Sequence, residues 1–114
     1  DEQIFSYLDG RDAVVLDAGC GEGITLEKLV RRFPSADVHG IDALDENIAI
    51  CRDHGLPAEK GDLYRLDMPD ASVDAVLLVE VVEHLEDPQT VLAEIQRVLK
   101  PGGKLIIVGI PEVD

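Results

Sequence analysis

The stretch of chain from residue 14 to residue 23, VVLDAGCGEG, constrains the fold more than any other. An apolar run ends in the carboxylate of Asp17 and passes directly into three glycines at alternate positions, Gly19, Gly21 and Gly23. This order predicts a buried parallel strand that turns tightly into a helix. Glycine has no Cβ, so the backbone of such a turn can approach a ligand closely. The stretch therefore predicts a nucleotide-like ligand, with one negative charge aimed at it.

Length and composition indicate a single soluble globular domain over residues 1–114. The chain has 46% hydrophobic and 30% charged residues, which is ordinary for a soluble protein, and 114 residues can bury a real core. No apolar run reaches the length that crosses a bilayer, and the first residues do not resemble a signal peptide. We therefore expect a cytoplasmic protein with no membrane partner.

A net charge of −14 argues against a nucleic-acid partner, because affinity for a phosphate backbone depends on Lys and Arg. The basic residues that do cluster, such as Arg97 with Lys100, are expected on solvated faces of helices. The two cysteines lack the CxxC spacing of a zinc site and give no disulfide framework. We expect Cys20 to be a small residue of the glycine turn and Cys51 to be part of the core.

Strand-like and helix-like segments alternate along the whole chain. Strands are predicted at 13–17, 37–41, 57–60, 73–79 and 104–110, helices at about 26–33, 45–54 and 88–99, and a short helical turn at 81–85. Repeated strand–helix–strand units indicate a parallel sheet covered on both faces, and right-handed crossovers leave few topologies. The prediction is an α/β, Rossmann-like, doubly wound and mostly parallel sheet of strand order 3-2-1-4-5. Its ligand crevice is expected beyond the carboxyl ends of strands 1 and 4.

Local signals predict where the helices begin and end. Asp45 and Asp87 are expected as N-caps of the second and third helices. Gly55 is expected to end the second helix. The Pro-Gly-Gly run at 101–103 is expected to end the third, with Leu99 on its buried side.

Acidic residues follow four of the predicted strands: Asp17, Asp42, Asp62 and Glu80. The carboxyl ends of parallel strands share one edge of a sheet, so all four are expected to face one crevice. An acidic crevice suits a ligand that carries positive charge and sugar hydroxyls but no phosphate, and S-adenosylmethionine fits this description. Asp42 lies 19 residues after Gly23, close to the ~20-residue spacing at which an acid binds ribose in dinucleotide folds.

Other interpretations of the same residues stay open or are disfavoured. Asp17 could cap the turn that follows it, and Asp62 could be an ordinary turn residue after a strand. No GKS/T follows the glycines, which excludes a phosphate-binding P-loop. A nicotinamide-dependent oxidoreductase is disfavoured because its motif is spaced G-x-G-x-x-G, whereas this chain has G-x-G-x-G. The carboxylate of Asp17 would also repel a pyrophosphate.

Four segments of the chain, in this order, resemble the class I S-adenosylmethionine-dependent methyltransferases. The segments are DAGCGEG, HGID, KGDLYRLDMPDASVDAVLLVEVVEHLEDP and VLAEIQRVLKPGGKLIIV. They cover nearly the whole chain and are most similar to the small-molecule group that includes ubiquinone- and menaquinone-pathway enzymes. The resemblance implies S-adenosylmethionine as cofactor and methyl transfer to an oxygen or carbon atom of a small-molecule acceptor.

The resemblance implies roles at the methionine end of the cofactor. Gly19, Gly21 and Gly23 form the turn under the methionine part. Asp17 supports that turn and the amino group. Glu80 borders the methionine end and the opening for the substrate.

The resemblance also implies roles at the nucleoside end. Asp42 binds the ribose hydroxyls. Asp62 accepts a hydrogen bond from the adenine amino group, with the backbone of Leu63 beside it. Ala43 lies near the face of the adenine.

The segment EVVEH, residues 80–84, holds the candidates for catalysis. Glu80, Glu83 and His84 fall within one turn if the segment is helical, so they could share a face near the methyl group. His84 or Glu83 could act as a general base where the acceptor is a hydroxyl that must lose its proton. The ExxEH pattern also resembles the divalent-metal site of small-RNA 3′-end methyltransferases. Those enzymes use a further histidine, which nothing after His84 supplies, so no metal is expected.

The resemblance further implies parts that this sequence does not contain. Family members begin with a helical lid and continue after strand 5 with a helix and an antiparallel pair of strands. We expect this chain to be the cofactor-binding core without those antiparallel strands. That leaves a non-catalytic module, which binds the cofactor or a partner, as the alternative function. The fifth strand would then be an uncovered apolar edge, which predicts a homodimer formed through that edge.

Overall fold

The computed structural model describes residues 2–10 and 12–109, so the predicted end of the fifth strand at residue 110 lies outside the described residues. Helices α1 to α4 span Glu2–Phe5, Ile24–Arg32, Asp45–Asp53 and Pro88–Val98, and a 3-10 turn spans Val82–His84. Strands β1 to β5 span Val14–Ala18, Asp37–Asp42, Ala58–Lys60, Val73–Val79 and Leu99–Val108. Within the described ranges, no helix has both the length and the apolar character needed to cross a membrane.

The strands form one sheet in the order β3-β2-β1-β4-β5, and each neighbouring pair of strands is parallel. β1 lies at the centre, where Leu16 is in register with His39 of β2 and with Val76 of β4. The chain leaves β3 and crosses to the far side of β1 to form β4, so the strand order reverses between β1 and β4. The predicted order is confirmed. Such a reversal is where open α/β sheets bind ligands.

The residues of β1 enter two different cores, because successive side chains of a strand point to opposite faces. Val15 packs in the same cluster as Leu26 and Leu29 of α2, and Leu16 packs in a second cluster with Val91 of α4. None of these five side chains is more than 1% exposed. A sheet that is covered on both faces explains the nearly continuous apolar sequence of its central strands.

One predicted helix start is wrong and another is confirmed. The N-cap of α3 is Leu44 rather than Asp45, and no side chain caps the first amides of this helix. Asp45 is the first helical residue and pairs with Lys60 at 3.2 Å. Its carboxylate still favours the helix, because negative charge in the first turn is stabilised by the helix dipole. Asp87 does cap α4, since its Oδ1 accepts from the N–H of Thr90 at 3.2 Å.

The passage from α4 to β5 also differs from the prediction. Leu99 has left the helix and begins β5 by pairing with Val73. The next residue of β5 in register is Lys104, which pairs with Ala75, so a step of five residues in β5 faces a step of two in β4. A Cβ on Gly103 would lie 2.8 Å from a backbone carbonyl oxygen, so only glycine fits there. The Pro-Gly-Gly run is therefore a bulge within a strand and not the end of a helix.

Arg97 is not the solvated residue that its place on α4 suggested. Its guanidinium donates to the carbonyl oxygens of Leu66 and Met68, each at 2.8 Å, and pairs with Glu94 at 2.9 Å. Glu94 in turn accepts from the N–H of Leu66 at 2.9 Å. These bonds hold the irregular segment between β3 and β4 against α4.

Candidate functional site

The glycine turn lies at the carboxyl end of β1 and is bonded to the neighbouring strand β2. The N–H groups of Gly19 and Cys20 donate to the carbonyl oxygen of Ile41 at 2.8 and 2.9 Å. Gly19, Gly21 and Gly23 have φ angles of 78°, 56° and 96°. Glycine adopts this left-handed region without steric cost, whereas other residues are strained there. The conformation of the turn therefore requires the glycines that the sequence supplies.

The three glycines have different surroundings. A Cβ on Gly19 would lie 2.8 Å from Cγ2 of Val81, and one on Gly23 would lie 2.6 Å from Cδ1 of Leu56. A Cβ on Gly21 would meet no described atom within 4 Å. The turn is therefore closed by packing at its two ends and open in the middle, where a ligand can reach the backbone.

Asp42 ends β2 and bonds to both the glycine turn and the start of α3. Its Oδ2 accepts from the N–H of Gly21 at 2.9 Å. Its Oδ1 accepts from the N–H of Leu44 at 2.9 Å and from the side-chain amide of Asn47 at 3.3 Å. A carboxylate offers about four acceptor sites, so the longest bond, to Asn47, is the one that a ligand hydroxyl can replace most readily. Ala43 follows Asp42 and is exposed.

Asp17 is a carboxyl group inside the protein. It is 1% exposed, and its Oδ2 accepts no hydrogen bond in the part of the chain that the structure describes. Burial, and secondly the negative charge of Asp42, raise the pKa of Asp17 to about 7. Buried polar atoms are nearly always hydrogen-bonded, so an unpaired one calls for an explanation. Asp17 can either hold a proton or accept from a donor that the described residues do not supply.

Asp62 follows β3 and shapes its own turn. One of its carboxylate oxygens accepts from the N–H of Tyr64 at 2.9 Å, and its carbonyl oxygen accepts from the N–H of Arg65 at 3.1 Å. Between these residues, Leu63 reaches towards the glycine turn, with Cδ1 3.7 Å from the position that a Cβ on Gly19 would take. A cavity of about 90 Å³ opens beside Asp62.

Glu80, Glu83 and His84 do not share one helical turn, which corrects the prediction. Glu80 directly follows β4 with a left-handed φ of 58°, which is rare for a residue other than glycine. Glu83 and His84 belong to the 3-10 turn, with Oε1 and Nε2 4.0 Å apart, and the His84 side chain is 74% exposed. Within residues 2–10 and 12–109, no three Asp, Glu, His or Cys side chains are grouped as a metal site requires.

The two cysteines, which share no motif in the sequence, both contact the glycine turn. The thiols of Cys20 and Cys51 donate to the carbonyl oxygen of Gly21 at S···O distances of 3.8 and 3.3 Å. Both residues are buried and free of a disulfide. Burial raises the pKa of each thiol, so both stay neutral and act as donors. Spacing along the chain gives no signal for this contact.

Replacing Asp17 with Asn tests the state of the buried carboxyl. Its pKa is about 7 in the folded protein, against an ordinary value of 3.8. Between these values the folded state keeps a proton that the unfolded state has lost, so the carboxyl lowers the free energy of unfolding as the pH rises. Relative to the wild type, Asp17→Asn should gain on the order of 2 kcal/mol in that free energy between about pH 5 and about pH 8.

Urea unfolding of the ligand-free protein at the two pH values measures this gain. Asp67→Asn, which removes an exposed carboxylate, is the control for a simple change of net charge. A difference between Asp17→Asn and the wild type that stays constant with pH would mean that the carboxyl is ionised throughout.

Comparison with known proteins identifies one family whose match includes both the glycine turn and the sheet. Residues 16–107 match a family model described as a methyltransferase domain. A ubiquinone biosynthesis O-methyltransferase of Xanthomonas oryzae is 35% identical over 113 residues, which cover 93% of this chain and 46% of that protein. The chain spans between 34% and 46% of the length of the first curated relatives that it matches.

Solved structures show the same fold. The crystal structure of the cyclase SpnF superposes with a TM-score of 0.83 at 29% identity, over 93% of this chain and 42% of that one. A SAM-dependent methyltransferase from Methanosarcina mazei gives a TM-score of 0.79 at 28% identity, over 94% of this chain and 56% of that one. Because the family match includes the glycine turn and the reversal of strand order, the chain belongs to the class I S-adenosylmethionine-dependent methyltransferase family.

Proposed function

We propose that this chain binds S-adenosylmethionine at the glycine turn and serves methyl transfer to an oxygen or carbon atom of a small-molecule acceptor. The observation that carries the proposal is the buried carboxyl of Asp17, which has one oxygen unpaired among the described residues. It stands at the start of a turn whose backbone is open at Gly21. An ammonium group is a donor of the kind that this carboxyl lacks. A relative named as an O-methyltransferase favours oxygen as the acceptor atom.

The glycine turn fits the methionine part of this cofactor in shape and charge. We assign Gly21 to contact with the ligand, because the turn is open there, and Gly19 to the shape of the turn, because Val81 fills the space for its Cβ. Gly23 supports the turn indirectly, since the space for its Cβ is filled by Leu56. The carboxylate of Asp17 accepts a hydrogen bond from the amino group and balances the positive charge of the amino group and the sulfonium. A charge-assisted hydrogen bond of this kind is about twice as strong as a neutral one.

The neighbouring strand ends fit the nucleoside part. We assign Asp42 to the ribose hydroxyls, which replace its long bond to Asn47. Asp62 receives the adenine amino group on the carboxylate oxygen that is not used in its own turn. The backbone of Leu63 is assigned to a place beside the adenine amino group, and Ala43 to the face of the ring.

The 3-10 turn after β4 is assigned to the acceptor. S-adenosylmethionine supplies a methyl group on a sulfonium, and its transfer needs mainly that the two reactants be positioned. His84 is exposed and can take the proton of an acceptor hydroxyl on Nδ1, while the carboxylate of Glu83, whose Oε1 lies 4.0 Å from Nε2, favours the positive charge that the imidazole then carries. Glu80 stands where the chain leaves β4 for this turn and borders the opening.

The alternative is a unit that binds the cofactor without catalysing transfer. The chain spans less than half of the first curated relatives, so the activity of the whole protein is itself a proposal. The cyclase that shares this fold shows that the fold by itself does not decide the reaction.

The ribose assignment predicts the effect of replacing Asp42. Asp42→Asn keeps the shape of the side chain but removes the charge that strengthens its hydrogen bonds. Binding of S-adenosylhomocysteine should weaken about tenfold to hundredfold, as for the loss of a hydrogen bond to a charged group. Isothermal titration calorimetry measures the affinity. Asp45→Asn, which removes a neighbouring carboxylate paired with Lys60, is the matched control. Equal affinity in Asp42→Asn and Asp45→Asn would remove Asp42 from the ribose site.

The base assignment predicts the effect of replacing His84. With a panel of catechols and phenols as acceptors, His84→Gln should lower the rate of S-adenosylhomocysteine formation about 10²-fold. The affinity for the cofactor should not change, because no role in cofactor binding is assigned to His84. His54→Gln, at the exposed end of α3, controls for the loss of a histidine. A wild-type rate in His84→Gln would exclude the base role, and cofactor binding without turnover in the wild type would favour the alternative.

We also propose that the outer edge of β5 pairs with a second copy of this chain. Among the described residues β5 pairs only with β4, and Ile107 on it is 50% exposed. Unpaired backbone groups of an edge strand are a template for another strand. The net charge of −14 opposes the approach of two copies, so salt should favour the pairing.

Light scattering across a range of protein and salt concentrations tests this pairing. We expect a dimer that strengthens with salt, and Ile107→Lys should weaken it by placing a charge on the edge. Ile24→Lys, at an isoleucine that is 70% exposed on α2, is the control for removing a surface apolar group. A monomer at the highest concentrations would contradict the proposal.

A further inference from the structure

We propose that Tyr64 is a positioning residue whose hydroxyl couples occupancy of the cofactor site to the order of the turn that carries Glu83 and His84. The inference rests on the proposed function, because it takes Asp62 and Leu63 as contacts of the cofactor. It adds a connection that no motif of the sequence indicates. The connection joins the two chain segments on either side of the crevice.

The hydroxyl of Tyr64 bonds to the backbone before α4. The N–H groups of Glu86 and Asp87 donate to the Tyr64 oxygen at 3.1 and 3.3 Å. A phenol oxygen can accept two such bonds. These amides are 22 and 23 residues away along the chain, so the contact is a tertiary one. Tyr64 therefore fixes the position of the backbone at which α4 begins.

On the cofactor side, Tyr64 belongs to the same tight turn as the adenine contacts. The N–H of Tyr64 donates to a carboxylate oxygen of Asp62 at 2.9 Å. Leu63, between them, packs in the same apolar cluster as Val81 and Val82, next to the glycine turn. A ligand that orders Asp62 and Leu63 therefore also orders the backbone of Tyr64.

On the substrate side, the bonded amides follow directly after the 3-10 turn. The N–H of His84 donates to the carbonyl oxygen of Val81 at 3.0 Å, and the N–H of Leu85 donates to that of Val82 at 3.2 Å. Asp87, which receives support from Tyr64, is also the cap of α4. The turn with Glu83 and His84 is thus held at its far end by the hydroxyl of Tyr64.

The rest of the segment between β3 and β4 gives little room for movement. Arg97 and Glu94 of α4 bind the backbone of Leu66 through its carbonyl oxygen and its N–H, at 2.8 and 2.9 Å. A displacement at Asp62 is therefore passed to Tyr64 rather than absorbed further along the segment. If the ligand favours one arrangement of this turn, it favours the same arrangement of the bonded amides, since linked equilibria shift together.

Amide hydrogen exchange followed by NMR tests the connection, with S-adenosylhomocysteine as the probe. In the ligand-free protein, Tyr64→Phe should speed exchange at the amides of Glu86 and Asp87 roughly twofold to tenfold, as for the loss of one hydrogen bond. In the wild type, the probe should slow exchange at the glycine turn and across residues 82–87. In Tyr64→Phe the protection of the glycine turn should remain, and that of 82–87 should be lost. Tyr7→Phe, at a tyrosine that is 59% exposed near α1, is the control.

The outcomes separate this inference from the proposed function. Failure of the wild type to bind the probe would overturn the proposed function, and the coupling with it, whereas faster exchange in ligand-free Tyr64→Phe would still establish the bond itself. Binding with the same protection of 82–87 in Tyr64→Phe as in the wild type would overturn the coupling alone. A purely structural role for Tyr64 would change exchange in the free protein but leave the response to the probe intact. This result would also overturn the coupling.

Discussion

The hydrogen bonds between the glycine turn and the end of β2 are the constraint on which the site depends. The carbonyl oxygen of Ile41 accepts from Gly19 and Cys20, and the carboxylate of Asp42 accepts from Gly21, all at 2.8 to 2.9 Å. Because β1 and β2 are parallel and paired in register, their carboxyl ends lie side by side and these bonds can form. The carboxylate proposed for the ribose therefore also shapes the backbone proposed for the methionine part. Neither contact can be altered without affecting the other.

Carboxylates that lie close together repel one another in the ligand-free crevice, and they favour the binding of a cationic ligand. Burial and the charge of Asp42 raise the pKa of Asp17 to about 7, so a proton on this carboxyl can reduce the repulsion between the two groups in the ligand-free protein. A positively charged ligand reduces the same repulsion by balancing the negative charge. Burial and the same carboxylates also raise the pKa of the Cys51 thiol. A neutral thiol is a poor nucleophile, so Cys20 and Cys51 support the turn as donors and not as reactive groups.

The features that could be predicted from the sequence follow from the backbone pattern. The features that could not be predicted depend on tertiary contacts. The strand order and the acids at strand ends come from periodicity, glycines and handedness, which act locally or through general rules. The Pro-Gly-Gly run resembles a helix stop, yet pairing of Leu99 with Val73 draws the chain into the sheet earlier. Arg97 looks like a surface residue of α4 because its partners, such as the carbonyl oxygen of Leu66, come from a segment without regular structure. Spacing along the chain carries no record of such partners.

The left-handed conformation of Glu80 shows how an outer strand supports the site without entering it. That conformation costs a residue other than glycine about 1–3 kcal/mol, so the surrounding structure must hold it. The N–H of Glu80 donates to the carbonyl oxygen of Val108 at 2.6 Å, at the last pair of β4 with β5. From this bend the chain carries Val81 over Gly19 and continues into the 3-10 turn. Fraying at the end of β5 would release the bend. Any strand that covers the outer edge of β5 therefore also stabilises the position of Val81 over the glycine turn.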